Sequence, residues 1–548
     1  MGLYLNSKRA SLLYKKETHA AYFVDKTRLL DELIGFLEIE ENGLVHAGTG
    51  NPYICITRPR RFGKTVMANM IASYFGKGMD SRHIFDNLEV STRRWYEKHL
   101  NQHNVIHISF NELPNGCKTY KEYISRIEKI LLEDLLREYP NVEIDGNIAV
   151  WDALNHILEL EEEVKFVFVL DEWDFIFHRD FVTDENKREY ISFLSNLLKD
   201  QPYVDLAYMT GILPIAKYSS GSELNMFLEY TMAAEEKYSE CFGFTEREVD
   251  ALYTKYIEYT EEPKITREGL RRWYDGYHTM SGVHVYNPRS VVAALTNNNL
   301  GNYWTSSGPY DEIFYYINKN IDDVRDALAL MISGEAVHGR VREYAAASMN
   351  LTTREEIFSA MVVYGFLTSE KGRIFIPNKE LMDKFEDMLR KEPSLGYVYQ
   401  LARESDRMLR ATLAGDTAAM AEILEYAHNT EVPLLNYNNE TELTAIVNLV
   451  YLSARDIYRI EREDKAGIGY VDFIFYPEDK KADSIILELK VGHSPEDAIR
   501  QIKEREYALR FRGKLGENSA YTGRILAVGI SYDKGNKKHR CKVEVLQG

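Results

Sequence analysis

Cysteine is scarce in this sequence, and no apolar run is long enough to cross a membrane. The four cysteines are scattered and form no Cys-x-x-Cys pair, so neither a disulfide framework nor a zinc site is predicted. A membrane helix needs about 20 apolar residues, whereas the most apolar segments here are of strand length. The first residues also lack the apolar core of a signal peptide. These absences predict a cytoplasmic protein without membrane contact.

An excess of positive charge is also missing. The 85 acidic residues outnumber the 67 basic residues, which gives a net charge of −18. Such acidity favours solubility and disfavours non-specific binding to nucleic acid. A local basic surface or a bound divalent cation can still bring nucleic acid to an acidic protein. The length of 548 residues predicts roughly two to four domains.

Strand-length apolar segments alternate with amphipathic segments in the first part of the chain. Short apolar strands separated by helices predict a parallel sheet with helices on both faces. The predicted strands are Tyr53–Thr57, 105–110, 165–170 and 204–209, and the predicted helices are Lys64–Phe75, Tyr120–Glu138 and 185–199.

Two changes of pattern divide the rest of the chain. Residues 245–430 are mostly helical, and a short hairpin around 366–378 favours a winged-helix-like unit there. After residue 431 the order becomes α-β-β-β-α-β. Its predicted elements are a helix at 441–454, strands at 457–462, 470–476 and 484–490, a helix at 495–510, and strands at 524–531 and 542–546. The predicted domains are 1–244, 245–430 and 431–548.

The segment RPRRFGKT, residues 58–65, lies between a predicted strand and a predicted helix. It fits the phosphate-loop pattern G-x-x-x-x-G-K-[ST] except that Arg58 replaces the first glycine. Backbone N–H groups and the helix N-terminus would bind the phosphates of ATP. Lys64 would reach the β- and γ-phosphates, and the Thr65 hydroxyl would hold Mg²⁺. The alternative is a basic surface turn before a helix.

A second apolar strand ends in Asp171-Glu172, and we expect it beside the strand of the phosphate loop. Asp171 would orient Mg²⁺, and Glu172 would polarise the attacking water. Thr210, at the end of a further strand, could sense the γ-phosphate or cap a turn. The predicted nucleotide-site residues are Arg58, Arg60, Arg61, Phe62, Gly63, Lys64, Thr65, Asp171 and Glu172.

An acidic cluster is predicted in the last domain. Alternate strand residues share a face, so Glu488 and Lys490 point together, away from the apolar residues between them. If Asp472 lies on the adjacent strand, two carboxylates and one lysine meet on an exposed face. Such a set can hold Mg²⁺ or Mn²⁺ for phosphodiester hydrolysis. The alternative is a strand with a polar outer face. Glu440 or Glu442 could add a third carboxylate, and Gln501 and Tyr507 could face the site, unless each is simply a helix-surface residue.

The segments around both predicted sites resemble those of known protein families. The N-terminal half resembles the AAA-ATPase-like family in the segments YFVDKTRLLDELI, RPRRFGKT, VLDEWD, TGILPIAK, WYDGYH and VYNP. An arginine in place of the first Walker glycine is usual in that family. The C-terminal part is similar to the PD-(D/E)XK nuclease domain in GYVDFIFY, IILELKVG and QIKEREYA. It departs from that family at Tyr470, where a basic residue is usual.

The resemblance implies an α/β multidomain chain. It would have an AAA-like P-loop domain (a parallel αβα sandwich), a helical middle region and a restriction-endonuclease-like αβββαβ domain. The resemblance thus implies ATP binding and a nuclease fold. The leading hypothesis for the function is an ATPase coupled to a metal-dependent nuclease, acting on DNA in preference to RNA, in defence or mobile-DNA processing. A homo-oligomer is compatible with this. The alternative function is a nucleotide-switched scaffold whose nuclease fold binds nucleic acid or a partner without cleavage.

Overall fold

A computed structural model describes most of the chain, and its contacts divide the chain into two compact units. One unit consists of Met1–Pro309 and Gly339–Glu380, and the other of Tyr310–His338 and Leu381–Gly548. No described helix has both the length and the apolar character needed to cross a membrane. The described residues are 2–41, 44–47, 50–114, 116–142, 148–161, 164–215, 223–232, 237–279, 282–304, 315–318, 321–341, 351, 353–429, 440–466, 469–511 and 521–547.

The regular elements of the described residues follow in chain order. The strands are β1 Glu38–Glu41, β2 Leu44–Ala47, β3 Tyr53–Thr57, β4 Asn104–Ser109, β5 Phe166–Asp171, β6 Val204–Gly211, β7 Leu228–Tyr230, β8 Tyr277–His278, β9 His284–Val285, β10 Val337–His338, β11 Thr368–Glu370, β12 Arg373–Phe375, β13 Tyr458–Ala466, β14 Gly469–Pro477, β15 Ser484–Val491, β16 Ile525–Asp533 and β17 Lys538–Gln547. The α-helices are Lys8–Thr18, Leu29–Leu37, Lys64–Phe75, Arg82–Phe85, Tyr96–His99, Tyr120–Glu138, Val150–Leu160, Asp184–Leu198, Glu246–Tyr259, Arg267–Tyr274, Pro288–Asn297, Ile321–Ile332, Arg354–Tyr364, Lys379–Lys391, Tyr397–Ala414, Thr417–Asn429, Glu440–Val450 and Pro495–Glu504.

The first unit is built on a five-stranded parallel sheet in the order β4-β5-β6-β3-β7. Every residue of β5 is buried, because helices cover both faces of the sheet. Phe168 and Leu170 belong to one apolar cluster, whereas Val167 and Val169 belong to the other. The predicted parallel sheet with two covered faces is confirmed.

The order of the strands differs from the expected one at one point. We expected the strand that ends in Asp171 to lie beside the strand that precedes the phosphate loop, but β6 lies between them. In register, Asp171 is opposite Thr210, and Thr210 is opposite Ile56. Because all three strands are parallel, their carboxyl ends still meet at one edge. That edge holds the predicted nucleotide site.

The hairpin expected in the middle region is present. The helix Arg354–Tyr364 ends at Gly365, whose positive φ of 84° favours glycine. The antiparallel pair of β11 and β12 follows. A winged-helix-like identity for this region stays a prediction.

The second unit contains a mixed sheet in the order β13-β14-β15-β16-β17. Only β15 and β16 are parallel to each other, and they are joined through the helix Pro495–Glu504. The predicted order α-β-β-β-α-β is confirmed, and the last predicted strand, at 542–546, forms part of β17 at the edge of the sheet. The helix expected to reach residue 510 ends at Glu504, because Glu506 adopts a positive φ of 53° that no α-helix continues.

Two helices before residue 431 pack against elements that follow residue 440. The helix Thr417–Asn429 lies against β17, and the helix Tyr397–Ala414 lies against the helix Glu440–Val450. The buried hydroxyls of Thr412 and Tyr451 are 2.6 Å apart. The compact unit therefore begins well before the predicted start of the nuclease-like domain at residue 431.

These contacts predict that a fragment 381–548 is more stable than a fragment 431–548. The shorter fragment exposes the part of β17 that the helix Thr417–Asn429 covers, so burial of apolar surface is lost. It also loses the hydrogen bond between the hydroxyls of Thr412 and Tyr451. Limited proteolysis and thermal unfolding of the two fragments compare them directly. Both lack residues 310–338, so the difference reports residues 381–430 alone. Equal protease resistance and equal unfolding temperatures would show that these helices do not stabilise the sheet.

Candidate functional sites

The predicted phosphate loop has the backbone geometry of an anion-binding turn. Gly63 immediately precedes the helix Lys64–Phe75 and has a φ of +89°. No atom would lie within 4 Å of a Cβ at this position, so the left-handed conformation alone favours glycine. Arg61 also has a positive φ, of 71°. The turn brings the loop to the N-terminus of a buried helix, where unpaired N–H groups and the helix dipole favour phosphate.

Lys64 lies inside this loop. Its Nζ donates hydrogen bonds to the carbonyl oxygens of Arg58 and Pro59, both at 2.9 Å. Burial lowers the pKa of Lys64 to about 8, against the opposing effect of nearby carboxylates, Asp174 first and then Glu172. The ammonium group is thus held on neutral carbonyl groups of the loop itself.

The Arg58 side chain binds protein atoms. Its Nη1 donates to the carbonyl oxygens of Thr57 and Tyr230, both at 2.8 Å. The guanidinium lies 5.2 Å from the ring centroid of Phe242, and burial lowers its pKa to about 10. Arg58 is not among the described residues with positive φ, which explains why this position does not require glycine. Its carbonyl faces Lys64, whereas its side chain ties the loop to β7.

The other loop residues divide into exposed and buried positions. Arg61 and Thr65 are exposed, and Phe62 is buried with its ring edge-on to Tyr277 at 5.0 Å. Burial, then the charges of Arg289 and Arg60, lower the pKa of Arg61. The loop therefore presents basic side chains while Phe62 anchors it.

Asp171 is a buried carboxylate at the end of β5. Neither of its oxygens has a hydrogen bond of normal geometry to a described residue. Burial first, then the charge of Glu172, raises the pKa of Asp171 to about 7, while Thr65 and Lys64 act in the opposite direction. An ionised carboxylate in such a place is costly unless a cation accompanies it. The residues present therefore fit a divalent cation beside Thr65.

Asp174 is a site residue that the sequence patterns did not single out. Its Oδ2 accepts hydrogen bonds from the backbone N–H groups of Ile212 at 3.1 Å and Leu213 at 2.9 Å. A Cβ at Gly211 would lie 2.5 Å from Asp174 Oδ1, so the close approach requires glycine. Asp174 thereby joins the ends of β5 and β6 and fixes the backbone after Glu172, which adopts a φ of 52°. The third acid of the segment DEWD was the available signal.

Thr210 is buried within the sheet. Its hydroxyl donates to the carbonyl oxygen of Ile56 at 2.9 Å. The hydroxyl is thus bound across to the strand of the phosphate loop, and its role as a phosphate sensor stays a prediction.

The acidic cluster of the second unit comes together as the strand pattern predicts. Strands β14 and β15 are antiparallel neighbours, and Asp472 Oδ2 accepts a hydrogen bond from the Leu489 N–H at 2.6 Å. Lys490 Nζ lies 3.1 Å from Glu488 Oε1. Burial first, then the charge of Asp472, raises the pKa of Glu488 to about 7. Oxygen Oε2 of Glu488 is buried without a hydrogen-bond partner among the described residues, so the pair fits a divalent cation.

The expectation that this cluster lies on an exposed face was wrong. Glu488 is only 3% exposed, because the helix Pro495–Glu504 covers its face of the sheet. Gly529 is opposite Glu488 on β16, and a Cβ there would lie 2.4 Å from the Pro495 carbonyl oxygen. The absence of a side chain at Gly529 lets the helix approach closely. An amphipathic helix after a strand can cover either face, so the strand pattern alone could not reveal this.

The further residues expected near the acidic cluster do not all reach it. Gln501 Nε2 donates a short hydrogen bond to Glu488 Oε1, so Gln501 does reach the cluster. Tyr507 belongs to the apolar cluster that includes Ile502 and Phe511. The helix Glu440–Val450 is present, but the side chains of Glu440 and Glu442 lie outside the described residues. No group of three or more potential metal ligands gathers in the part of the chain that the structure describes.

The two sheets define a multidomain α/β protein, with a five-stranded parallel sheet in the first unit and a five-stranded mixed sheet in the second. Comparison with known families gives the particular assignment. Residues 14–220 match the family described as a predicted AAA-ATPase, and residues 438–540 match the PD-(D/E)XK nuclease superfamily. The chain thus contains an AAA-ATPase-like domain and a PD-(D/E)XK nuclease superfamily domain.

Individual relatives are distant. The chain is similar to an uncharacterized protein in the vnfD 5' region of Azotobacter chroococcum mcd 1, with 26% identity over 292 residues. That match covers 52% of this chain and 51% of the relative, so the chain spans about half the length of this curated relative. A Walker-type ATPase of Pyrococcus abyssi aligns with 66% of this chain and 94% of its own at 10% identity and a TM-score of 0.34.

The raised pKa of Glu488 predicts how stability depends on pH. The folded state binds the proton more tightly than the unfolded state, so stability is lost as pH rises from about 4.5 to about 7. Glu488→Gln should remove this loss and stabilise the metal-free protein at pH 8, by of order 1–3 kcal/mol. The two proteins should converge near pH 4.5. Urea unfolding with a chelator, from pH 4.5 to 8, measures the difference.

Glu478→Gln is the matched control for that experiment, because Glu478 is exposed in the turn after β14. It should follow the wild type at every pH. Adding Mg²⁺ or Mn²⁺ at pH 8 should stabilise the wild type and the control by more than it stabilises Glu488→Gln, because the Asp171 site is intact in all three proteins. A wild type whose stability does not fall above pH 5 relative to Glu488→Gln would contradict the interpretation.

Proposed function

We propose that this protein hydrolyses ATP at the phosphate loop and cleaves nucleic-acid phosphodiesters at the PD-(D/E)XK site in a metal-dependent reaction. The observation that carries the nuclease part is the Glu488 carboxylate. It is buried, one oxygen has no hydrogen-bond partner among the described residues, and Asp472 and Lys490 lie beside it. A core gains nothing from such a group, whereas a cation site needs it.

At the nuclease site, Asp472 and Glu488 would hold Mg²⁺ or Mn²⁺. The cation would lower the pKa of a water and neutralise charge on the phosphate. The Lys490 ammonium, held by Glu488, is placed to bind the scissile phosphate or the attacking water. Gln501 holds Glu488 from the covering helix and so fixes the direction of its second oxygen. Burial under that helix excludes bulk water and strengthens each of these interactions.

At the ATPase site, the buried Lys64 ammonium would exchange the carbonyl oxygens of Arg58 and Pro59 for phosphate oxygens. Thr65 and Asp171 would hold Mg²⁺, which would neutralise the charge of the phosphates. Glu172 lies next to Asp171 in a left-handed conformation, a strained backbone of the kind found at functional sites. Its carboxylate would orient the attacking water, and Asp174 would keep the backbone in position.

The wider assignments follow from this activity and stay predictions. A cytoplasmic, ATP-regulated nuclease acting on DNA in preference to RNA would suit defence or the processing of mobile DNA. A homo-oligomer would be compatible with this function. If the site binds nucleic acid without cutting it, the protein is a nucleotide-switched scaffold.

Nucleotide binding can be tested at Lys64. Lys64→Ala should abolish tight ATP binding, because the phosphates lose their buried point charge. Glu172→Gln should bind ATP and fail to hydrolyse it. Calorimetry with Mg²⁺–ATP and a phosphate-release assay measure the two effects. Lys77→Ala, an exposed lysine just beyond the other end of the same helix, is the control. Equal ATP affinity in wild type and Lys64→Ala would remove the basis of the ATPase proposal.

Cleavage can be tested with plasmid, linear DNA and RNA, with and without Mg²⁺ or Mn²⁺ and ATP. Asp472→Ala should lose metal binding and cleavage while keeping ATP hydrolysis. Lys490→Ala should keep metal binding and lose about a hundredfold or more in cleavage rate, as for removal of one charge-stabilising group. Asp479→Ala and Lys480→Ala, in the turn at the other end of β15, are the matched controls. Nucleic-acid binding without cleavage by the wild type would favour the scaffold.

A further inference from the structure

Basic residues concentrate in one short segment of this acidic protein. Residues 533–542, DKGNKKHRCK, contain five lysines and arginines and one aspartate, whereas the whole chain has a net charge of −18. The segment forms the end of β16, the turn after it and the start of β17, which is the edge strand of the mixed sheet. Its position in that sheet is fixed by strand register.

The register places part of this segment in line with the nuclease site. Lys490 on β15 is opposite Ser531 on β16, and Ser531 is opposite Arg540 on β17. Directly opposed residues share a face, so Arg540 lies on the face of Lys490, two strand spacings or about 10 Å away. Lys538 is two residues before Arg540 on the same strand and shares that face.

The charges on this face are paired near the covering helix and exposed beyond it. Lys542 Nζ lies 3.2 Å from Glu544 and 3.7 Å from Glu496 of the helix. By contrast, Lys538 and Arg540 on this face, and Lys537 in the turn before β17, are exposed. None of these three side chains makes an ion pair or hydrogen bond with another described residue.

The residue between Lys490 and Arg540 has a small side chain. Ser531, the residue between Lys490 and Arg540, is 2% exposed, and its hydroxyl contacts the Arg540 carbonyl oxygen at 3.5 Å. The helix begins at Pro495, over Gly529, so it covers Glu488 and Gly529, which are opposite each other on β15 and β16. Ser531 and Arg540 form the opposed pair two residues further along β16, toward the turn.

We propose that Lys537, Lys538 and Arg540, here called the basic strip, bind backbone phosphates of the nucleic acid on one side of the scissile phosphate. The proposal rests on the proposed nuclease function, because the strip is assigned its ligand by its alignment with Lys490. Cations in a row that leads to a phosphodiester site are complementary to a chain that carries a charge on every phosphate. The strip would thus give an acidic protein a local surface for nucleic acid.

The test compares charge-neutralised variants of the full chain. Lys538→Gln/Arg540→Gln removes two charges from the strip. Lys480→Gln/Lys481→Gln removes two exposed charges from the turn between β14 and β15, at the opposite end of the sheet. Binding to labelled DNA duplex, single-stranded DNA and RNA is measured by anisotropy at several salt concentrations. Both pairs are placed in the Asp472→Ala protein, so that the probes are not cut.

The strip variant should bind at least about tenfold more weakly near 0.1 M salt. The slope of log K against log salt should become shallower by up to about 2 for duplex, since each phosphate contact contributes about 0.9, and by less for single strands. The control pair should leave both quantities unchanged. With Asp472 intact, the strip variant should raise KM for cleavage much more than it lowers kcat. The probe most affected identifies DNA or RNA as the source of the phosphates.

The possible failures are distinguishable. Equal affinity and slope in strip and control variants, with cleavage by the wild type, would overturn the strip and leave the nuclease standing. Strip-dependent binding without cleavage by the wild type would overturn the nuclease and keep the strip as a binding surface. A wild type that neither binds nor cleaves any probe would overturn both. Equal losses in strip and control variants would show a general charge effect and overturn the strip.

Discussion

Both carboxylate oxygens of Asp171 and one of Glu488 lie in the interior without a hydrogen-bond partner among the described residues, and the cost of that burial governs both sites. Burial raises the pKa of each to about 7, because a charge removed from water must find another compensation. In each case a basic side chain, Lys64 or Lys490, lies close by without neutralising the carboxylate fully. The charge of each carboxylate is therefore not fully compensated without a bound cation. The backbone holds each carboxylate in this buried position.

Sequence patterns predicted the parts of the sites that depend on local periodicity. The two-residue repeat of β15 is enough to place Glu488 and Lys490 together, and the apolar strand before Asp171 predicts its position at a strand end. Strand order is a different matter, because it depends on contacts between distant segments. The insertion of β6 between β3 and β5, and the burial of Glu488 under a helix, left no periodic signal. The side chain of Arg58 likewise binds Tyr230 of β7, a contact that no pattern within the loop predicts.

Positions of close approach were the least accessible to sequence analysis. Gly211 brings Asp174 against the end of β6, and Gly529 brings the helix Pro495–Glu504 against the sheet. Gly529 lies in none of the segments that carry the family resemblance, and Gly211 lies in one of them, TGILPIAK, without a predicted role. Asp174 is instead found by asking which groups hold the predicted site residues in place, whereas Gln501 was already a candidate from its position on the helix after β15. The chemistry-bearing residues follow from pattern, and the contacts that orient them follow from packing.

Gly529 also changes what an intact motif means in chains of this type. The depth of the covering helix is set by a single hydrogen atom where other residues have a side chain. A chain could retain Asp472, Glu488 and Lys490 and still lose the proposed cleavage activity if this position gained a methyl group. The methyl group would push the helix away from the sheet, and Gln501 would no longer reach Glu488. A classification that considers only the acidic residues and the lysine would count such a chain as an active nuclease. The glycine opposite Glu488 should therefore be considered together with those residues.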